Sequence, residues 1–205
     1  MAAKLAAAGR MTAMAAAALV LAACGAGQSD LPRAGVIELN SLFDADFALT
    51  DMHGQPATDE RFEGEPMLIY FGFASCPDVC PTALGVMDAA LGALVEDAER
   101  VQPLFITVDP ERDTPEVLAR YLQAFDAPIL GLTGTPEEAR AAREALKVFA
   151  AKVPMPDSAM GYTMDHQSMF YLTDAGGQPL VALDDGMAPT EIAGAIRDRL
   201  DAVGA

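Results

Sequence analysis

The sequence predicts an α/β domain with a central mixed sheet flanked by helices, a hairpin near the start of the domain and a second hairpin late in the chain. Three observations carry this expectation. Residues 67–74 (MLIYFGFA) and 104–108 (LFITV) are continuous apolar runs of strand length, the pattern of strands buried on both faces. Segments with apolar residues at helical spacing follow and alternate with such runs, which is how α/β sheets are written. Late in the chain, Asp174-Ala175-Gly176-Gly177 separates two further strand-like runs and adds an antiparallel pair.

Each element has a local reason. Phe47-Ala48-Leu49 and Pro56-Ala57-Thr58 flank the turn signal Asp51-Met52-His53-Gly54, which predicts the first hairpin. The run 67–74 is the first buried strand. Leu84, Val86, Met87, Leu91, Leu94 and Val95 recur at near-helical spacing, so residues 82–98 read as an amphipathic helix. The run 104–108 is the second buried strand. Thr114 as N-cap and Pro115 at the first helical position open a helix to about residue 125, and residues 128–132 read as a short strand. Thr135, Pro136 and Glu138 form a capping box that starts a helix reaching about residue 151. A loop rich in Met, Pro and Gly follows. Residues 168–173 and 179–183 make the late hairpin. Residues 189–203, with Ile192, Ile196, Leu200 and Val203 at helical spacing, form the last helix. This order is compatible with a thioredoxin-like fold.

The chain has 205 residues and a net charge of −17, from 13 Lys plus Arg against 30 Asp plus Glu. That balance repels a phosphate backbone, so no nucleic-acid partner is expected, and it disfavours polybasic contact with anionic lipid. No repeat follows residue 36, and residues 36–205 read as one domain. Before it, Lys4 and Arg10 are the only charges ahead of Asp30, and the uncharged run 11–23 is too short to span about 30 Å of hydrocarbon. Residues 1–23 therefore read as a secretory signal. Leu21-Ala22-Ala23-Cys24 resembles the bacterial lipoprotein box, which makes Cys24 the expected lipidation site. An ordinary signal peptide or uncleaved anchor is the alternative. Residues 24–35, rich in Gly and small polar residues, read as a flexible tether. Loss of the signal removes Lys4 and Arg10 and leaves a charge of −19.

Cys76 and Cys80, the other two cysteines, lie between a buried strand and a helix, in Ser75-Cys76-Pro77-Asp78-Val79-Cys80-Pro81. A helix N-terminus favours thiolate, which is both nucleophile and metal ligand. A separation of four positions puts both sulfurs on one face if the segment is helical. A structural disulfide closing so short a loop contributes only roughly 2 kcal/mol. The stronger readings are a redox-active dithiol and a metal site. His53 lies in a turn and reads as a solvated loop residue, whereas His166 immediately precedes an apolar strand and is the candidate third ligand. Two thiolates and an imidazole suit Cu(I), and hold Cu(II) with an added oxygen; zinc would want a fourth ligand or water.

Three segments, residues 73–81 (FASCPDVCP), 108–115 (VDPERDTP) and 165–168 (DHQS), closely resemble the signatures of the Sco/SenC family, and the similarity extends over about residues 40 to 200. The resemblance implies a membrane-tethered, thioredoxin-like protein that binds copper and helps to assemble the binuclear copper centre of cytochrome c oxidase. It implies Cys76, Cys80 and His166 as copper ligands, with Asp78 as a nearby charge that tunes the site. Asp109 also matches, but a strand-end turn explains it equally well. The expected partner is the apo copper-bearing subunit of the oxidase, with other copper chaperones as further candidates. The expected place is the periplasmic face of a bacterial membrane, held there by a lipid anchor. Where many members have a transmembrane helix, this sequence has a lipoprotein box. The alternative activity is thiol–disulfide exchange, with Cys76 attacking and Cys80 resolving. Met155, Met160 and Met164 precede His166; loop methionines usually serve as flexible packing, and an auxiliary copper contact is the other reading.

Overall fold

The structure, a computed structural model, describes residues 34–204. The signal sequence, Cys24 and all but the end of the expected tether lie outside the described residues. The fold is built on β4 (Met67–Gly72), whose six residues are all buried, and β5 (Gln102–Thr107), which lies parallel beside it. Between them runs α1 (Val79–Leu94), with Ala83, Leu84, Met87, Ala90, Leu91 and Leu94 buried. Next come α2 (Pro115–Leu122), β6 (Leu130–Thr133) and α3 (Pro136–Ala145). β6 is parallel to β5. Near the N-terminal end of the domain are β1 (Val36–Glu38), β2 (Ala48–Asp51) and β3 (Pro56–Thr58). The chain ends with β9 (Met169–Thr173), β10 (Pro179–Asp184) and α4 (Pro189–Val203). The eight strands form one mixed sheet in the order β1-β10-β9-β4-β5-β6-β2-β3, with β9 antiparallel to β4.

The predicted hairpins β2–β3 and β9–β10 are both present. So are the caps. The Thr114 hydroxyl accepts from Val117 N–H, and Thr135 and Glu138 exchange reciprocal bonds at the start of α3. Beyond shifts of a few residues at the ends of α1, α2 and β6 and the added strand β1, three differences from expectation stand out. α1 begins at Val79 rather than 82, because Pro81 is compatible with a first helical turn, where its missing N–H has no intrahelical role. α3 stops at Ala145 instead of 151, where Lys147 takes a left-handed φ of 55° and Val148 N–H bonds back to Arg143 O at 2.7 Å.

The third difference matters most for the site. The Met-, Pro- and Gly-containing loop is a second, two-stranded antiparallel sheet, β7 (Ala150–Met155) and β8 (Gly161–His166). Its residues are mostly half-buried or exposed, so no apolar alternation marks them as strands. The pairing rests on backbone hydrogen bonds in the register Ala150↔His166 to Met155↔Gly161, with Gly161 at φ 69° where the chain turns.

Candidate metal centre

Cys80 is the second residue of α1 and points down onto the sheet. It is buried against β4, where Gly72 leaves room for it. A Cβ at Gly72 would lie 2.8 Å from the Phe105 ring, 2.9 Å from the Tyr70 ring and 3.2 Å from Cys80 Sγ. Cys76, half-buried in the loop before the helix, sits one turn earlier, and Cys80 N–H donates to its Sγ at 3.4 Å. Both cysteines are free thiols. Burial pushes the Cys80 thiol up to about 12, opposed by a backbone hydrogen bond from Phe73. The thiolate expected from the helix dipole is therefore outweighed at Cys80 by desolvation, and a bound cation is what would draw the proton off.

His166, the last residue of β8, arrives from the other side. Its Nε2 is 3.5 Å from Cys80 Sγ, and its Nδ1 is 2.9 Å from Gln167 O. A carbonyl oxygen only accepts, so Nδ1 carries the proton and Nε2 keeps its lone pair toward the sulfur. The ring is wedged edge-on against Tyr70 and Phe73, with centroids 6.4 and 5.8 Å away. A cavity of about 240 Å³ opens over these groups, lined among others by Cys76, Asp78, Met164, Asp165 and His166. Asp78 is exposed on its rim and makes no capping bond from its side chain. Met164 also lines the cavity, two positions before His166 and hence on the same face of β8. Met155 and Met160 lie exposed at the far end of the hairpin. His53 is exposed in the β2–β3 turn.

The structure also assigns work to the second signature segment, residues 108–115, and to Tyr162, which sequence reasoning did not single out. Asp109 does not face the cavity. It is 2% exposed, accepts from Arg112 Nε, and its Oδ1 accepts the Tyr162 hydroxyl at 2.8 Å. Arg112 in turn donates to Tyr162 O at 3.1 Å and stacks 3.8 Å from the Tyr162 ring. Lys152, whose Nζ is 4.2 Å from the centroid of the same ring, pairs with Glu111 at 2.9 Å. The DPERDTP segment thus clamps the hairpin that delivers His166. Asp113 clamps the cysteine loop, since its Oδ2 accepts from Ala74 N–H at 3.0 Å and Thr107 Oγ1 at 2.6 Å. Arg112 and Asp113 were legible only as parts of a signature segment; nothing local marked Tyr162 as their partner.

A mixed sheet flanked by helices, with a dithiol at a strand–helix junction and an imidazole facing it, defines a thioredoxin-like protein carrying a Cys₂His pocket. A profile of the family described as SCO1/SenC matches residues 37–201, and the chain belongs to that family. A SCO2-like protein of Rickettsia felis is 39% identical over 164 residues, 78% of this chain and 80% of its own length. Among solved structures, Bradyrhizobium japonicum ScoI with copper bound has a TM-score of 0.70 at 40% identity, over 76% of this chain and 98% of that one. Yeast Sco1 with copper bound has a TM-score of 0.70 at 37% identity, over 78% and 88% of the two chains.

Proposed function

We propose that the protein is a periplasmic copper chaperone that binds copper through Cys76, Cys80 and His166 and delivers it to the copper-bearing subunit of cytochrome c oxidase. The observation that carries this reading is the approach of Cys80 Sγ to the unprotonated His166 Nε2 at 3.5 Å, with Cys76 one turn away. Two sulfurs and one nitrogen are a donor set that suits Cu(I), whereas a structural zinc site wants a fourth protein ligand. The copper-bound relatives support the same choice. Three ligands leave one side of the ion open, so an incoming cysteine or histidine of the partner binds before the first ligands leave. Asp78, on the cavity rim, adds negative charge near the ion. Titration of the reduced protein with Cu(I) and Cu(II) tests this. Undiminished stoichiometry and affinity in Cys76→Ala, Cys80→Ala and His166→Ala would sink it.

The second reading, thiol–disulfide exchange, is favoured by one specific feature, the half-buried Cys76 beside the buried Cys80. Cys76 thiolate attacks a partner disulfide, Cys80 displaces the mixed disulfide, and the partner leaves as a dithiol while a Cys76–Cys80 disulfide forms. Exchange activity that survives His166→Ala without copper would favour it. For location, the reading is acylation of Cys24 after removal of residues 1–23, which holds the domain at a bacterial membrane on its periplasmic face. Mass spectrometry of the N-terminal peptide from the membrane-extracted protein tests it, with an unmodified Cys24 as the contrary result.

A further inference from the structure

Beneath Cys80, a line of hydrogen bonds crosses from the sheet to the loop before α4. The Tyr70 hydroxyl is 2.9 Å from Ser168 Oγ, and Ser168 Oγ donates to Asp185 Oδ2 at 2.5 Å. The chemistry of the groups fixes the direction of each bond. A carboxylate only accepts, so the single Ser168 proton is committed to Asp185. Ser168 Oγ then receives the Tyr70 O–H. Tyr70 is fully buried, and its ring and the Cys80 sulfur crowd the same point above Gly72. The Tyr70 hydroxyl lies within hydrogen-bonding reach of the Cys80 sulfur. With its one proton turned toward Ser168, the Tyr70 oxygen has only lone pairs to offer the sulfur.

We propose that Asp185, acting through Ser168, is a positioning residue that holds the Tyr70 hydroxyl turned away from Cys80, so that the Cys80 sulfur carries copper without an O–H donor bound to it. This rests on the copper-binding reading above. Hydrogen bonding around a ligating sulfur sets the redox behaviour of the metal it holds. A donor withdraws electron density from the thiolate, raises the energy of sulfur-to-Cu(II) charge transfer and favours Cu(I). A sulfur spared that bond keeps its density for the ion. The residue that enforces this lies in the loop before α4, 105 positions after Cys80, and its hydrogen bond goes to Ser168.

The test uses the full chain loaded with Cu(II), read by its thiolate-to-copper charge-transfer band and by the midpoint potential of the bound couple. Asp185→Ala frees the Ser168 proton and lets the Tyr70 O–H swing to Cys80. The band should move to higher energy and the potential should rise. In a Tyr70→Phe background no hydroxyl remains, so adding Asp185→Ala should move neither quantity. Asp185→Asn, whose amide oxygen still accepts from Ser168, should keep the band of the unaltered protein. If Asp185 merely braces the fold, Asp185→Ala produces the same displacement in both backgrounds, and the proposal is overturned. Should Asp185→Ala fail to melt cooperatively, Ser168→Ala removes the acceptor of the Tyr70 proton and carries the same expected shift. A band absent from the unaltered protein defeats the copper reading; a band present but unmoved in these variants defeats this inference alone.

Discussion

Arg112 holds the His166 hairpin to the domain, and its replacement by Met should release that hairpin while keeping the stem of the side chain packed. The loss can be built from the contacts. The charge-assisted bond from Arg112 Nε to Asp109 contributes about 1.5–3 kcal/mol, the bond to Tyr162 O about 1 kcal/mol, and the guanidinium over the Tyr162 ring at 3.8 Å about 0.5–1 kcal/mol. These share one side chain and do not add in full. Asp109, 2% exposed, would keep only the Tyr162 hydroxyl as a side-chain partner, and breaking a buried pair from one side costs about 3–5 kcal/mol. A loss of about 3 kcal/mol is expected, which for a domain of this size lowers Tm by roughly 6–12 °C. Urea denaturation measures the loss, and amide exchange shows where it falls, with β7 and β8 exchanging fastest. Lys152→Ala is the internal comparison. Its pair with Glu111 is exposed on both sides and should contribute far less than the Arg112–Asp109 contact. A loss at Arg112→Met no larger than that of Lys152→Ala, or unchanged protection in the hairpin, would refute the clamp.

Gly72→Ala should destabilise the domain by about 1–3 kcal/mol and weaken copper uptake, because its Cβ would press on two aromatic rings and on Cys80 Sγ; denaturation and copper titration of the same variant check both halves. Val95 has a φ of 56° and is 73% exposed at the end of α1, so Val95→Gly relieves backbone strain at little packing cost and should raise stability by about 1 kcal/mol in thermal melts. Burial raises the Asp113 carboxyl above its ordinary value. A raised carboxyl stabilises the folded state less as pH climbs through its folded value, so the stability difference between Asp113→Asn and the unaltered protein should shift in favour of Asn as pH rises above about 4. Parallel stability curves would contradict that. The buried Cys80 thiol, pushed up to about 12, should make copper uptake release protons and strengthen as pH rises from about 6 to 9, as titrations in two buffers of different protonation enthalpy would show.

How much of this was legible beforehand depends on the range of the forces involved. The capping box at Thr135 and the Thr114 N-cap were readable because both partners lie within three residues. The strands around Tyr70 and Phe105 were readable because a strand buried on both faces leaves no polar residue to interrupt it. The hairpin β7–β8 was not, since a half-exposed pair held by its own backbone and by ion pairs leaves no apolar pattern. Asp78 was expected near the site and does line the cavity, while Asp109, equally present in a signature segment, faces Arg112 and Tyr162 instead. Charge and position in sequence look the same for both; only their neighbours differ.

By itself, then, the sequence determined the α/β class and the placing of Cys76 and Cys80 at a strand–helix junction, each from residue types within a few positions of one another, and it offered His166 ahead of His53 as a candidate ligand. The tertiary structure decided what those groups can do. It brought His166 across 86 positions to within 3.5 Å of Cys80 and turned its lone pair toward the sulfur. It buried Cys80 deeply enough for desolvation to overcome the helix dipole, and it tied the hairpin to the loop carrying Arg112. Desolvation and long-range hydrogen bonding depend on which surfaces meet, and that is set by packing between segments far apart in the chain.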